Sequence, residues 1–162
     1  MRFYLIDKVL EINIGKSIKG IKCWSLSDEI FNDHFPGFPV VPGVLLVESA
    51  AQLLGILIAK SFQNEYPDKE EIYPILSMIH KAKFRDIVVP GDCCEITGTL
   101  KTIDYTRASG SAEVFVEKKL MAQIELSFGL VSKKINLEGK YGERRHNEFL
   151  GVVTRNMSIL KK

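Results

Sequence analysis

Acid-base chemistry in this chain has two natural bearers, His34 and Glu48, with a stiff loop and a helix start between them. In Asp33-His34-Phe35-Pro36-Gly37-Phe38-Pro39-Val40-Val41-Pro42-Gly43, three prolines fix φ. The imidazole is therefore held in place, as removal of a carbon-bound proton requires. Glu48 lies within the apolar run VLLVESAAQLLGILIAK. Burying it ionised is costly, so desolvation there favours the protonated carboxyl, which can give a proton to a departing hydroxyl. Gln52, one turn later on the same face, can orient that carboxyl by a hydrogen bond. Gly43 and Val44 open the helix with N–H groups that have no intrahelical acceptor, at the positive end of its dipole. That end attracts an oxyanion, and Gly43 has no side chain to keep a ligand carbonyl from its amide. Taken singly, His34 reads as a loop histidine bonded to backbone and Glu48 as an acid satisfied by Gln52 or an arginine. Their pairing across a proline-stiffened loop favours chemistry.

The elements that must position these groups follow from periodicity and punctuation. Pro42 to about Lys60 reads as a helix, with proline at its first position and almost no polar residue, so it must be buried on nearly every side. Such a run can also span a bilayer, but Glu48 at mid-membrane would cost about 2.5 kcal/mol or more, which favours a soluble core helix. Before it, residues 3–14 and 18–25 read as two strands around Gly15-Lys16-Ser17, then an irregular loop with a helical turn near 27–31. After it, residues 61–74 read as a polar loop. Strands follow over 75–84, 92–103, 107–117 and 119–131, each alternating wet and dry faces with short connections suited to antiparallel pairing. The implied class is α+β, one curved antiparallel sheet wrapped around one long central helix.

At 162 residues, 46% hydrophobic and 26% charged, the chain suits a single globular core and excludes disordered, collagen-like and coiled-coil classes. A net charge of +2 is too weak for a dedicated nucleic-acid binder. From Lys133 to Lys162 there are 8 basic against 3 acidic residues, leaving 14 against 17 before it. A body over 1–135 and a basic tail over 136–162 are thus expected, the tail as a solvated or frayed terminus or, less simply, a binding patch. Cys23, Cys93 and Cys94 show no zinc-ligand spacing and read as reduced thiols, with Cys93 and Cys94 on opposite faces of a strand. The start lacks a secretory h-region, so the cytoplasm is the expected compartment.

HFPGFPVVPGVLLVESAAQ resembles the motif of the 3-hydroxyacyl-acyl-carrier-protein dehydratases of the FabZ type, and KAKFRDIVVPGDCCEITGTL resembles their VxPGD segment. The likeness runs from about residue 5 to 132. It implies a hotdog fold, His34 and Glu48 as catalytic residues, and Gly43 as the amide that receives the thioester carbonyl, with Val44 beside it and Gln52 as the glutamine that commonly follows. Glutamate at 48, where the FabA type has aspartate, implies dehydration without isomerisation. The resemblance further implies a homodimer in which His34 of one subunit faces Glu48 of the other, commonly a trimer of dimers. It implies an acyl carrier protein as partner, no metal or redox cofactor, and a phosphopantetheine arm supplied by the substrate. Lys81, Lys83, Arg85 and Arg107 are candidates for meeting an acidic carrier. Phe38 and His80 depart from the family pattern, and the 61–74 loop and the tail have no counterpart that can be placed. A hotdog thioesterase, which would not need His34, and a non-catalytic paralogue binding acyl chains or carriers are the rival expectations. For the tail alone, a protein-interaction or membrane-surface role is the alternative.

Overall fold

The computed structural model describes residues 3–134, 148 and 150–160. Strands β1 (Lys8–Asn13) and β2 (Ser17–Cys23) form the first hairpin, followed by a 3-10 turn over Glu29–Asn32 and helix α1 (Gly43–Glu65). Then come β3 (Ile72–Phe84), β4 (Cys93–Ile103), β5 (Arg107–Val116), β6 (Lys119–Ser132) and a two-residue β7 (Ser158–Ile159). Among the described residues the sheet order is β3-β6-β5-β4-β2-β1-β7. All neighbours are antiparallel except β7, which runs parallel to β1. This is the α+β arrangement expected, with one parallel edge added.

By length and composition α1 could cross a membrane. Here the sheet covers it: 13 of its residues are buried, from Leu45 to Phe62. Contact is close enough to demand small residues on the strands. A Cβ at Gly110 would lie 2.9 Å from the Thr99 carbonyl oxygen and 3.0 Å from Leu54 Cδ2. That carbonyl belongs to the β4–β5 ladder and cannot move aside. Gly110→Ala is therefore expected to lower stability by about 1–3 kcal/mol. Urea unfolding should show a lower midpoint at an unchanged m-value.

The helix extends beyond the predicted Lys60, through residues expected to be loop. Tertiary contacts override the polar sequence: Gly15 N–H donates to Ser61 Oγ at 2.9 Å, Phe62 is buried, and its ring meets Tyr66, which meets Tyr105. The connection shrinks to residues 66–71. β3 likewise begins at Ile72, three residues early, because Ile72 pairs with Ser132 at the far end of β6.

The cysteines differ from the expectation of three thiols. Cys23 and Cys93 form a disulfide. They are direct partners between β2 and β4, yet Cys23 N–H donates to the Asp7 carboxylate, not across the ladder, while Trp24 N–H donates to Asp92 O. This marks a non-hydrogen-bonded pair, where facing side chains come closest. The register between strands 70 residues apart is invisible in cysteine spacing. Cys94 points to the other face, as alternation requires, and is buried and free. Burial pushes its thiol up to about 11.

The described end of the chain is largely exposed but anchored at a few points. Val153 is buried in the core, with Leu150 and Met157 against it. β7 pairs Ser158 with Glu11 and Ile159 with Ile12, and Leu160 N–H donates to Ile12 O at 2.9 Å. The backbone of this short segment thus covers the edge of β1. The expectation of a basic tail over 136–162 falls partly on 135–147 and 149, outside the described residues.

Candidate active site

The loop before α1 is fixed from both ends. Phe35 and Phe38 exchange backbone bonds of 3.1 and 2.9 Å around Pro36 and Gly37. Gly37 has φ +77°, so proline and glycine occupy the two central places of a type II turn, where each is favoured. The His34–Phe35 peptide is cis, and the two rings stack at 4.2 Å. Val40 N–H donates to His34 O at 2.9 Å, and Val41 N–H donates to Val88 O at 2.8 Å, tying the loop to the segment before β4.

The His34 ring is held by the same loop. Its Nδ1 lies 2.8 Å from Val40 O. A carbonyl only accepts, so Nδ1 carries the hydrogen of that bond, and the neutral ring presents Nε2 as its basic lone pair. The plain expectation, a loop histidine bonded to backbone, is thus met in a form that also prepares a base.

Glu48 is half-buried on α1. Gln52 Nε2 donates to Glu48 Oε1 at 3.0 Å and to Phe3 O at 3.0 Å, while Gln52 Oε1 accepts from Leu5 N–H at 2.9 Å. With its acceptor and donor ends both engaged, the amide cannot turn, and Glu48 Oε1 is fixed by it. The expected Glu48–Gln52 contact is therefore present. Its anchor, the segment before β1, was not foreseen, because backbone groups of Phe3 and Leu5 carry no side-chain signal.

Gly43 and Val44 open α1 behind Pro42, whose φ −54° and ψ 130° are extended. The Phe84 ring, from the end of β3, lies over Gly43: a Cβ there would be 2.7 Å from Phe84 Cζ. Phe84, too, was unforeseen. His80, one of the departures from the family pattern, is engaged structurally, with Nε2 2.7 Å from Ser127 Oγ across the β3–β6 pair. Phe38 stands exposed at the loop tip.

A cavity of about 650 Å³ runs beside α1 and is lined by Glu48, Gln52, Gly55, Ala59 and Gln63 from successive helical turns. Opposite them stand Phe3 and Tyr4, Ile72 to Leu76 of β3, Phe128 and Leu150. At 1.5 Å per residue, Glu48 to Gln63 covers about 22 Å of helix. Most of this wall is apolar; Glu48 is the acid on its α1 side, and Lys60, Glu71 and Lys133 are the other charged residues on it. His34, Gly43 and Val44 are not among the lining residues of the single chain. The fold thus joins Glu48 to Gln52 and His34 to Val40, and keeps the two groups on separate features of one subunit.

A FabA-like domain model matches residues 1–125. The chain belongs to this family. It is 46% identical over 124 residues to the 3-hydroxyacyl-[acyl-carrier-protein] dehydratase FabZ of Rickettsia felis, covering 75% of this chain and 81% of that protein. It is 38% identical over 133 residues to the FabZ of Lawsonia intracellularis, covering 82% and 85%. Among solved structures, smu.793 of Streptococcus mutans, bound to acetyl CoA, superposes with a TM-score of 0.63 at 13% identity, over 82% of this chain and 94% of that one. The dehydratase heterocomplex ApeI:P of Xenorhabdus doucetiae gives 0.62 at 15%, over 82% and 86%. Zebra fish thioesterase superfamily member 2 gives 0.57 at 11%, over 75% and 78%. At such identities the structures establish the hotdog fold alone, which this FabA-like chain shares with dehydratases and thioesterases.

Proposed function

We infer that this FabA-like protein is a 3-hydroxyacyl-acyl-carrier-protein dehydratase of fatty acid biosynthesis, a hydro-lyase working in the cytoplasm. The observation that carries this is the Glu48–Gln52 pair on the wall of a long apolar cavity, in a chain 46% identical to a FabZ. In the reaction, Nε2 of neutral His34 takes a C2 proton, its ring held by the Val40 carbonyl. Charge moving onto the thioester oxygen is met by the Gly43 N–H and the helix dipole, with Val44 beside it. Glu48 protonates the departing 3-hydroxyl, and water and a trans-2-enoyl thioester leave. The proton taken from C2 then returns from the imidazolium to the carboxylate, so the enzyme ends as it began. Elimination of water changes no oxidation state, so no redox cofactor enters this scheme. The phosphopantetheine arm arrives with the substrate.

The site needs two copies of the chain. Among the described residues β3 is an edge strand, and its Ile75, Met78 and Ile79 are about half exposed, at 49, 56 and 52%. An unpaired apolar edge of that kind is covered in stable proteins. A second copy laid along β3 forms a homodimer and brings a partner loop towards the cavity, so that His34 of one subunit faces Glu48 of the other. A trimer of such dimers is the higher assembly. An acidic carrier would meet exposed Lys83 and Arg107, while Lys81 is engaged by Glu125 at 3.7 Å and Arg85 by Gln123.

The test is to incubate purified protein with 3-hydroxyacyl carrier protein and with crotonyl thioester while following enoyl formation, hydration and free thiol. Reversible hydration and dehydration without thiol release are expected. Thiol release would replace this reading with a hotdog thioesterase, and saturable binding without turnover with a non-catalytic paralogue.

A further inference from the structure

The family match does not supply the whole wall of the cavity, since Phe128, Lys133 and Leu150 all lie beyond it. Leu150 lines it, yet it lies well past residue 125, where the match ends. Three observations fix it there. Val153, one helical turn on, is 2% exposed within the core. β7 adds itself to β1 at Glu11 and Ile12. Thr154 caps the intervening turn, its Oγ1 donating to Leu150 O at 2.6 Å and its N–H to the same oxygen at 3.0 Å. Leu150 is therefore held by packing and hydrogen bonds on its C-terminal side, and its half-buried side chain meets the space along which the α1 wall runs.

We propose that Leu150 is a specificity-determining residue, an apolar stop contributed by the C-terminal segment that sets how much acyl chain the cavity accepts. This rests on the dehydratase reading for the direction in which a chain enters, from Glu48 along the small residues Ala51, Gly55 and Ala59. A cavity walled by rigid elements discriminates by fit. Each methylene that is buried contributes about a fourfold preference, and one that collides reverses it. Residues 1–125 supply the acid and most of the groove, Phe128 and Lys133 add to it, and Leu150 trims it.

The test compares full-length wild type, Leu150→Ala and Leu150→Trp in hydration of crotonyl and hexadecenoyl pantetheine thioesters. The ratio of kcat/KM for the long over the short substrate is expected to fall about tenfold or more in Leu150→Trp and to rise several-fold in Leu150→Ala. Simple loss of folding would move both variants the same way. Superimposable chain-length profiles for the three proteins would overturn the proposal. If wild type hydrates neither thioester, the dehydratase reading falls. Leu150 is then judged by equilibrium binding of palmitoyl pantetheine against butyryl pantetheine, where the same opposite shifts are expected and unchanged preference rejects it.

Discussion

His34→Ala and Glu48→Ala are each expected to slow turnover about a thousandfold, and an equimolar mixture of the two, after subunit exchange, to regain about a quarter of wild-type activity. The first figure is the usual worth of a positioned acid or base. The second follows from two-fold symmetry: half the dimers in the mixture are mixed, and each of those holds one intact site and one doubly damaged one. The structural ground is that Glu48 lines the cavity and His34 of the same chain does not. Neither substitution should unfold the protein, since both side chains are half-buried and neither belongs to the packed cluster. Circular dichroism of the variants and light scattering of the mixture check this. Glu48→Gln separates charge from shape: it keeps the bond to Gln52 and still cannot give up a proton, so it should be as slow as Glu48→Ala. No recovery in a mixture whose subunits have demonstrably exchanged would sink the shared site.

What could be read in advance divides along a physical line. Local chemistry was legible: alternation gave the strands, Pro42 and the apolar run gave α1, and Pro36-Gly37 gave a turn that proved to be type II. Groups that act through side chains at fixed spacing, Glu48 with Gln52, were legible for the same reason. Whatever depends on a partner distant in sequence was not. The last turn of α1 is helical because Ser61 receives the Gly15 N–H from the first hairpin, and nothing in SFQNE announces it. Cys23 and Cys93 bond because a strand register puts them opposite each other. The β5–β6 turn uses Glu117 and Lys118 at φ 47° and 70°, places where glycine or asparagine would have given the turn away. Within the site, the unforeseen parts are backbone acceptors and donors, Val40 O, Phe3 O and Leu5 N–H, which every residue type possesses. In the C-terminal segment the charges are conspicuous in composition, while Val153 in the core and the pairing of β7 with β1 anchor its described part.

The Gly43 amide can be tested by a pair of substitutions that differ mainly in one hydrogen. Gly43 is the first residue of α1, the position at which proline is most welcome in a helix. Pro42 already has the extended φ −54° and ψ 130° that a residue before proline adopts. Gly43→Pro should therefore preserve the helix start while deleting the N–H. Both it and Gly43→Ala place a Cβ where Phe84 Cζ would be 2.7 Å away. Phe84 is 47% exposed, so its ring can swing towards solvent, and the cost in stability should be small for both. Gly43→Ala, which disturbs the ring and shifts the amide slightly, is expected to lower kcat about tenfold, since displacement of a catalytic group by 1 Å costs about a hundredfold. Gly43→Pro should lower it about a hundredfold to a thousandfold, the effect of removing one oxyanion donor. The comparison that decides is kcat of Gly43→Pro against Gly43→Ala in protein of matched thermal stability. Equal rates would mean that the thioester oxygen finds its stabilisation elsewhere, and that glycine stands here only to make room for Phe84.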